Sequence, residues 1–286
     1  MASTPPAAPA PDPGEGLALV MPGRGVSIGE ALSWIPRSWT LFRKAPLMWI
    51  LAILIFFIAA LILQLVPLVG SIAVSVLQPV YFAGFALACR SLETGGDFEI
   101  EHVFAGFRTR STDLLIVGAI YTLGSFAILA IFAMVFIGFA GWAVVSGFVA
   151  AILANNTQEA AEVIQGMWLP FLLGMLFSML LFIPLLAAYW FAPFLVFMNG
   201  VKAVAAMKAS LMACIRNFFQ MFVYGVAMVV LWIVLTVPVI VPILGWLVTA
   251  IAYVVLAMMS FIAVYPSYRD IFTEEVSRPE SATVTL

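Results

Sequence analysis

Long apolar runs alternate along this chain with short segments in which polar residues recur at helical spacing. Six of these runs are long enough for a helix to cross the hydrocarbon core of a bilayer, which takes roughly 20 residues. They lie at 46–65, 71–88, 113–154, 167–198, 218–237 and 246–265. The third run is too long for one span and short for two. We therefore expect one span followed by an interfacial or re-entrant piece, with Gly138, Gly141 and Gly147 as places for the break.

An amphipathic helix is predicted ahead of the first run, near 27–44. Ser27 and Glu30 have the spacing of a capping box, in which each side chain accepts from the other's backbone N–H. The residues that share one face of a helical wheel are Ile28, Ala31, Leu32, Ile35, Trp39 and Phe42. Such a helix lies in the membrane interface, with Trp34 and Trp39 at headgroup level and a kink or break at Pro36. The alternative is an ordinary surface helix packed on the spans.

A second basic segment, at 201–216, separates the fourth and fifth runs. Its apolar stripe consists of Val204, Met207, Leu211 and Ile215. Small side chains at Ala205, Ala209 and Ala213 would let another helix pack closely. We expect this helix to lie half against lipid and half against protein.

The composition of this chain indicates that most of it lies in a lipid bilayer. Only 9% of its residues are charged and 65% are hydrophobic, whereas soluble domains carry about 25% charged residues. The sequence therefore predicts an all-α, polytopic integral membrane helix bundle with six transmembrane helices plus cytoplasmic interfacial amphipathic helices. It divides into a disordered Pro/Ala-rich tail at 1–26, a six-span domain at 27–272 and a disordered tail at 273–286.

The lysines and arginines predict the orientation. With six spans, all twelve fall on one side of the membrane. The positive-inside rule then places both termini in the cytoplasm, in a multi-pass protein of the bacterial inner membrane. Cys89 and Cys214 form no disulfide framework, and we expect both to be small packing residues.

Two span pairs share a turn sequence, which predicts an internal repeat. The turn at 66–70 reads Val-Pro-Leu-Val-Gly and the turn at 241–245 reads Val-Pro-Ile-Leu-Gly. Each pair follows a basic helix and points the same way through the membrane. They would be parallel repeats about an axis along the membrane normal.

Three further segments carry a family resemblance: Trp190-Phe-Ala-Pro-Phe194, the segment Ala209–Asn217, and Tyr265-Pro-Ser-Tyr-Arg-Asp-Ile-Phe272. From about 27 to 272 the chain resembles an uncharacterised group of bacterial six-span inner-membrane proteins, similar in layout to the YciC-like membrane proteins. The resemblance implies a six-helix membrane bundle and brings no activity with it.

Groups that could do chemistry are scarce. The interior of the six spans holds no Asp, Glu, Lys, Arg or His, which argues against an enzyme and weakens the case for an ion-coupled carrier. Gln64 and Gln78 could line a polar pocket, although hydrogen bonds between helices explain them as well. The acidic stretch Asp97–His102 could suggest a metal site, but we interpret it as a solvated loop.

These observations favour a non-enzymatic protein: a scaffold, a partner subunit or a lipid-interacting module without cofactor or metal. The expected partners are membrane lipids, with other membrane proteins or a second copy as further candidates, and no nucleic acid. The candidate lipid headgroup contacts are Arg37, Arg43, Lys44, Lys202, Lys208 and Arg216. The alternative is a transporter of a neutral small molecule or lipid. A polar cavity at the bilayer midplane would favour the transporter, and a solid core the scaffold.

Overall fold

The computed structural model describes residues 17–275, and helices dominate it. Their bounds are α1 Ile28–Lys44, α2 Pro46–Gln64, α3 Val69–Glu93, α4 Ala105–Arg108, α5 Ser111–Ala140, α6 Trp142–Leu153, α7 Thr157–Trp190, α8 Ala192–Asn199, α9 Ala203–Arg216, α10 Phe218–Val234, α11 Leu244–Ile262 and α12 Val264–Phe272. The remaining elements are two short 3-10 helices, Ile100–Phe104 and Val237–Ile240, and two strands, β1 Leu17–Leu19 and β2 Thr273–Glu275.

Six helical segments within 17–275 are long and apolar enough to cross a membrane, which confirms the predicted six-span, all-α bundle. They are Pro46–Gln64, Val69–Glu93, Ser111–Ala140, Val163–Asn199, Phe218–Ile240 and Leu244–Phe272. Large apolar side chains face outward from them, such as Phe57 at 58% and Leu61 at 67% exposure. A surface of this kind is solvated by lipid and not by water. The chain is therefore a polytopic helical membrane protein.

The long third run breaks at Gly141, as expected for one span followed by a shorter piece. Gly141 has φ 79°, a conformation that glycine adopts without steric cost. The following helix, α6, has 12 residues, about 18 Å of rise and too short to span the hydrocarbon. It packs against α7.

The two Val-Pro-x-x-Gly turns share one backbone conformation. Leu68 has φ 65° and Ile243 has φ 62°, which is rare for residues with branched or bulky side chains. In each turn a backbone N–H donates to the proline carbonyl two positions earlier. The Val69 N–H donates to Pro67 at 2.7 Å, and the Leu244 N–H donates to Pro242 at 2.7 Å. The equal geometry supports the structural equivalence of the two hairpins.

The glycine that ends each turn is required by a close approach of backbone. A Cβ added to Gly70 would lie 1.9 Å from the carbonyl oxygen of Leu63. The same atom on Gly245 would lie 1.7 Å from the carbonyl oxygen of Pro238. No other amino acid fits either position without a shift of the backbone.

The predicted capping box starts α1. The Ser27 hydroxyl accepts from the Glu30 N–H at 3.2 Å, and the Glu30 carboxylate accepts from the Ser27 N–H at 2.6 Å. That backbone hydrogen bond is the main cause that holds the pKa of Glu30 below its usual value. Of the kink or break predicted at Pro36, the break is wrong, because α1 runs as one helix through it. The carbonyl that loses its donor belongs to Leu32, on the exposed side.

The apolar face predicted for α1 was expected to meet the membrane interface, but α1 also has a face that is buried in the protein. It packs against α10, α11 and α12 through Ala31, Trp34, Ser38, Leu41 and Phe42. Trp34 is 1% exposed, so the prediction that it lies at headgroup level is wrong. Trp39, at 43% exposure, faces outward. The helix is therefore oriented so that Trp34 packs in the core and Trp39 lies on the outer surface.

The chain segments at both edges of the membrane domain have defined structure, unlike the predicted tails. Strand β1 pairs with β2 in antiparallel register, Leu17 opposite Glu275 and Leu19 opposite Thr273. The Val20 N–H then donates to the Phe272 carbonyl at 2.9 Å. These backbone bonds give 17–26 and 273–275 a fixed place that their composition does not predict. The rest of both predicted tails lies outside the described residues.

The best-packed part of the molecule is one end of the bundle, here called the basic end. It comprises α1, the carboxyl end of α3, the amino end of α5, and helices α8, α9 and α12, with the lysines and arginines of residues 17–275 around it. The large side chains that are fully buried include Trp34, Phe191, Tyr265, Tyr268 and Phe272. Burial on this scale fixes the relative positions of the helices that carry the candidate site.

Candidate functional site

The six predicted headgroup contacts all lie at the basic end, but they differ in their partners. Four of them bond within the protein: Arg37 to the Asp270 carboxylate, Lys44 to the Leu92 carbonyl, Lys202 to the Asp113 carboxylate and Arg216 to the Gly23 carbonyl. Arg43 and Lys208 are exposed, and no hydrogen-bond or ion-pair partner is found for either side chain within 17–275. Of the six predicted contacts, these two are the exposed cations without a protein partner among the described residues; Arg108, which was not among the six, is exposed in the same way.

The surface around these two cations is apolar. On α9, Val204 is 52% exposed and Ile215 is 61% exposed. On α1, Trp39 lies one turn before Arg43 and its ring stacks on that of Phe42, with centroids 5.7 Å apart. Cations beside exposed apolar side chains are typical of helices at a membrane interface.

The opposite face of α9 packs on α7 through small residues, as predicted in outline. The Ser210 hydroxyl donates to the Ala187 carbonyl at 2.6 Å and accepts from the Phe191 N–H at 2.9 Å. Ala209 and Ala213 are buried, whereas Ala205 is exposed and does not take part. Burial on this face raises the pKa of the Cys214 thiol to about 12.

The segment Tyr265–Phe272, which carried part of the family resemblance, ties the spans together at the basic end. The Tyr265 hydroxyl and the Arg269 guanidinium each donate to the Glu93 carboxylate at 2.7 Å. The Tyr268 hydroxyl donates to the side-chain oxygen of Asn199. This segment of α12 therefore joins the ends of α3 and α8 by side-chain hydrogen bonds.

Asp270 extends the same network to α1. Its carboxylate accepts from the Trp34 indole N–H at 2.9 Å and forms an ion pair with Arg37 at 2.6 Å. Sequence analysis missed Asp270 and treated Arg37 as a lipid contact. The available signal was an aspartate directly after Arg269, at the end of the last apolar run.

The candidate metal stretch is built into a local turn. The His102 Nδ1 accepts from the Glu99 N–H at 3.3 Å, which caps the 3-10 helix Ile100–Phe104. Among the side chains that the structure describes, no three of His, Cys, Asp or Glu are placed to hold a metal ion together.

The bundle contains two neighbouring cavities between its spans. The larger, about 410 Å³, lies among α2, α3, α10 and α11. The smaller, about 250 Å³, lies among α3, α5, α7, α8 and the α11–α12 junction. Both are lined by Gln78, Phe82, Phe85 and Phe261. The core is thus neither solid nor strongly polar.

The two glutamines expected to share a pocket do not meet. The Gln64 side chain accepts from the Ser71 hydroxyl at 3.0 Å and is exposed near the first turn. Gln78 lies near the middle of α3 and faces both cavities. A pocket built on Gln78 alone is what the structure supports.

Comparison with known proteins gives a coarse relationship. No family model matches the sequence, so the resemblance to YciC-like proteins rests on the quoted segments alone. No solved structure matches the chain. Over 204 residues, 70% of this chain and 72% of the relative, the sequence is 28% identical to a probable inner membrane protein of Burkholderia thailandensis. The chain is thus similar, over most of its length, to a bacterial protein named only for the membrane that holds it.

Proposed function

We propose that the protein is a non-enzymatic, lipid-interacting module of the bacterial inner membrane that holds anionic headgroups at its basic end. The observation that carries the proposal is the pair of cations, Arg43 and Lys208, which stand exposed without a protein partner in the described chain. The other four predicted contacts serve the fold first, because each already bonds to a protein acceptor.

The surroundings of these two side chains support a lipid as the partner. Each stands on a helix that also exposes large apolar groups, Trp39 on α1 and Ile215 on α9. A headgroup phosphate can meet the cation while the acyl chains cover the apolar groups. A basic side chain near an anionic surface gains about 1 kcal/mol, so the two together supply roughly 2 kcal/mol.

The proposed orientation places the basic end in the cytoplasm, with both termini on that side. The distribution of lysine and arginine supports it, since residues 24–44, 90–110, 202–216 and 269 all lie at the same end of six spans. The Burkholderia relative supports the inner membrane as the location. The cytoplasmic leaflet is also where anionic lipid attracts basic segments.

Thermal stabilisation by added lipid tests the function. The purified protein in neutral detergent is titrated with phosphatidylglycerol or phosphatidylcholine, and the melting temperature is recorded. A ligand that binds only the folded state raises this temperature. We expect phosphatidylglycerol to raise it more than phosphatidylcholine does, and the double variant Arg43→Gln/Lys208→Gln to lose that difference.

The matched control is Lys202→Gln, which removes one charge at the same end but from a side chain paired with Asp113 at 3.2 Å. It should keep most of the preference for phosphatidylglycerol. A double variant that retains the full preference would show that Arg43 and Lys208 do not hold anionic lipid.

The cavities favour a second candidate function, transport of a neutral small molecule or lipid. Both lie within the spans, and Gln78 gives them one polar group near the middle of α3. Reconstituted vesicles that move a fluorescent neutral lipid between leaflets faster than protein-free vesicles would establish it. Equal rates in the two preparations would exclude that cargo.

A further inference from the structure

The two cavities are neighbours that share four wall residues, Gln78, Phe82, Phe85 and Phe261. The Phe82 ring centroid lies 6.0 Å from that of Phe261 and 6.2 Å from that of Tyr189. The larger cavity, at about 410 Å³, lies within the range of small-molecule sites, which usually measure about 300–1,000 Å³, and the smaller, at about 250 Å³, lies just below it. The smaller cavity reaches from the middle of the bundle towards Trp190 and Phe194 at the basic end.

The walls of both cavities are aromatic and uncharged. The aromatic side chains that line one or both cavities are Phe56, Phe57, Tyr81, Phe82, Phe85, Tyr121, Tyr189, Trp190, Phe194, Trp232, Tyr253 and Phe261. No Asp, Glu, Lys, Arg or His is among the lining residues of either cavity. An ion would lose its hydration here without compensation, so the walls select a neutral occupant.

Some hydrogen-bond donors in these walls lack a protein partner in the part of the chain that the structure describes, among them the Tyr189 hydroxyl and the Gln78 amide. The Tyr189 hydroxyl is buried, in a residue 5% exposed, and no protein atom of the described chain accepts from it. No protein partner within 17–275 is found for the Gln78 side-chain amide, which borders both cavities. An unpaired polar group in a low-dielectric interior is destabilising, and an acceptor brought by a ligand would offset that cost.

The mouth of the larger cavity faces the lipid. Among its lining residues, Phe57 is 58% exposed and Val254 is 52% exposed, both on the outer surface of the spans. A molecule dissolved in the membrane can therefore enter sideways between α2 and α11. Water-soluble ligands have no comparable route through this mouth.

From these observations we infer that the cavity pair is a binding site for a neutral, membrane-dissolved lipid that presents a carbonyl oxygen. The Gln78 amide and the Tyr189 hydroxyl donate to that oxygen or to two such oxygens, and the aromatic walls enclose the apolar body. The carbonyl can belong to a quinone ring or to the ester of a neutral glycerolipid. Binding here requires neither headgroup binding at Arg43 and Lys208 nor transport.

Native mass spectrometry of the detergent-purified full chain tests the inference with two probes. Decylubiquinone presents ring carbonyls, and dioleoylglycerol presents ester carbonyls. We expect one of them to bind with 1:1 stoichiometry, and the variants Gln78→Leu and Tyr189→Phe each to weaken it roughly fivefold, the effect of one lost hydrogen bond. Ala257→Phe, which fills the larger cavity at one of its lining positions, should abolish binding.

The matched controls are Gln64→Leu and Tyr224→Phe, which make the same atomic changes on side chains outside both cavities. They should bind the probe like the parent. If Ala257→Phe fails to fold, the two conservative variants decide, since they change one polar group each. The inference is overturned if neither probe binds, or if the probe binds Gln78→Leu and Tyr189→Phe as tightly as the parent. Stabilisation by phosphatidylglycerol through Arg43 and Lys208 is measured in a separate experiment. The headgroup proposal and the cavity proposal can therefore be rejected independently.

Discussion

Trp34 and Asp270 are 236 positions apart, yet the indole N–H of the first donates to the carboxylate of the second at 2.9 Å. The bond joins α1, at the start of the membrane domain, to α12, at its end. The same carboxylate neutralises Arg37 at 2.6 Å. One aspartate thus satisfies a buried indole and a half-buried guanidinium at the basic end.

Replacing Asp270 should destabilise the bundle. Asp270→Asn keeps the side-chain volume but removes the charge that pairs with Arg37 and one of the oxygen acceptors. We expect the free energy of unfolding to fall by about 1–3 kcal/mol, because the donors left behind are partly or fully buried. Thermal or denaturant unfolding in detergent measures it. Asp97→Asn, on an exposed residue, is the control and should be close to neutral; equal effects of the two changes would contradict the role given to Asp270.

Alanine at either turn glycine should prevent proper folding of its hairpin. The added methyl of Gly70→Ala would meet the Leu63 carbonyl oxygen at 1.9 Å, and that of Gly245→Ala the Pro238 carbonyl oxygen at 1.7 Å. We expect both proteins to accumulate poorly in the membrane, which immunoblotting and fluorescence-detected gel filtration measure. Gly225→Ala, in open space on α10, should behave like the parent or better. Normal levels of the turn variants would show that the turns relax easily.

Both native cysteines should resist alkylation in the folded protein. Cys89 and Cys214 are buried, and the pKa of Cys214 is raised to about 12, so almost none of it is thiolate at neutral pH. N-ethylmaleimide at pH 7.4, followed by intact-mass measurement, should add no label until the protein is denatured. Rapid modification of Cys214 in the native protein would mean that the α7–α9 contact opens readily.

The proposed orientation predicts which positions an impermeant reagent can reach in intact cells. In a background without Cys89 and Cys214, a cysteine at Thr94 should resist an impermeant maleimide and one at Thr157 should react, because the two lie at opposite ends of the spans. Disrupted cells provide the control in which both should label. Labelling of Thr94 in intact cells would reverse the assigned orientation.

The features predicted well from sequence were those that depend on neighbouring residues. Span length and apolarity are local, as is the capping box of Ser27 and Glu30, and all appear in the structure. The break of the third run at Gly141 follows from a conformation that glycine alone adopts easily. The Val-Pro-x-x-Gly turns could be predicted because each is a run of five consecutive residues.

The features missed depend on residues that only the fold brings together. Trp34 has the composition of an interfacial residue, but Asp270 gives its indole N–H a partner and so permits burial. Arg37 was expected to contact lipid because it lies in the same amphipathic segment, and it instead forms an ion pair with Asp270. The cavities depend on the spacing of all six spans and an imperfect fit between them, which no local pattern encodes.

The pairing of β1 with β2 also constrains how the protein is made. A ribosome releases Leu17–Leu19 long before Thr273–Glu275 exists, so the first strand must wait, unpaired, while every span is inserted. Only a chain translated through the last helix can close this ribbon and bring Asp270 to Trp34. The contact therefore forms only after residues 273–275 have been made. A chain that stops before α12 would leave β1 without its paired strand and the Trp34 indole N–H without the Asp270 carboxylate.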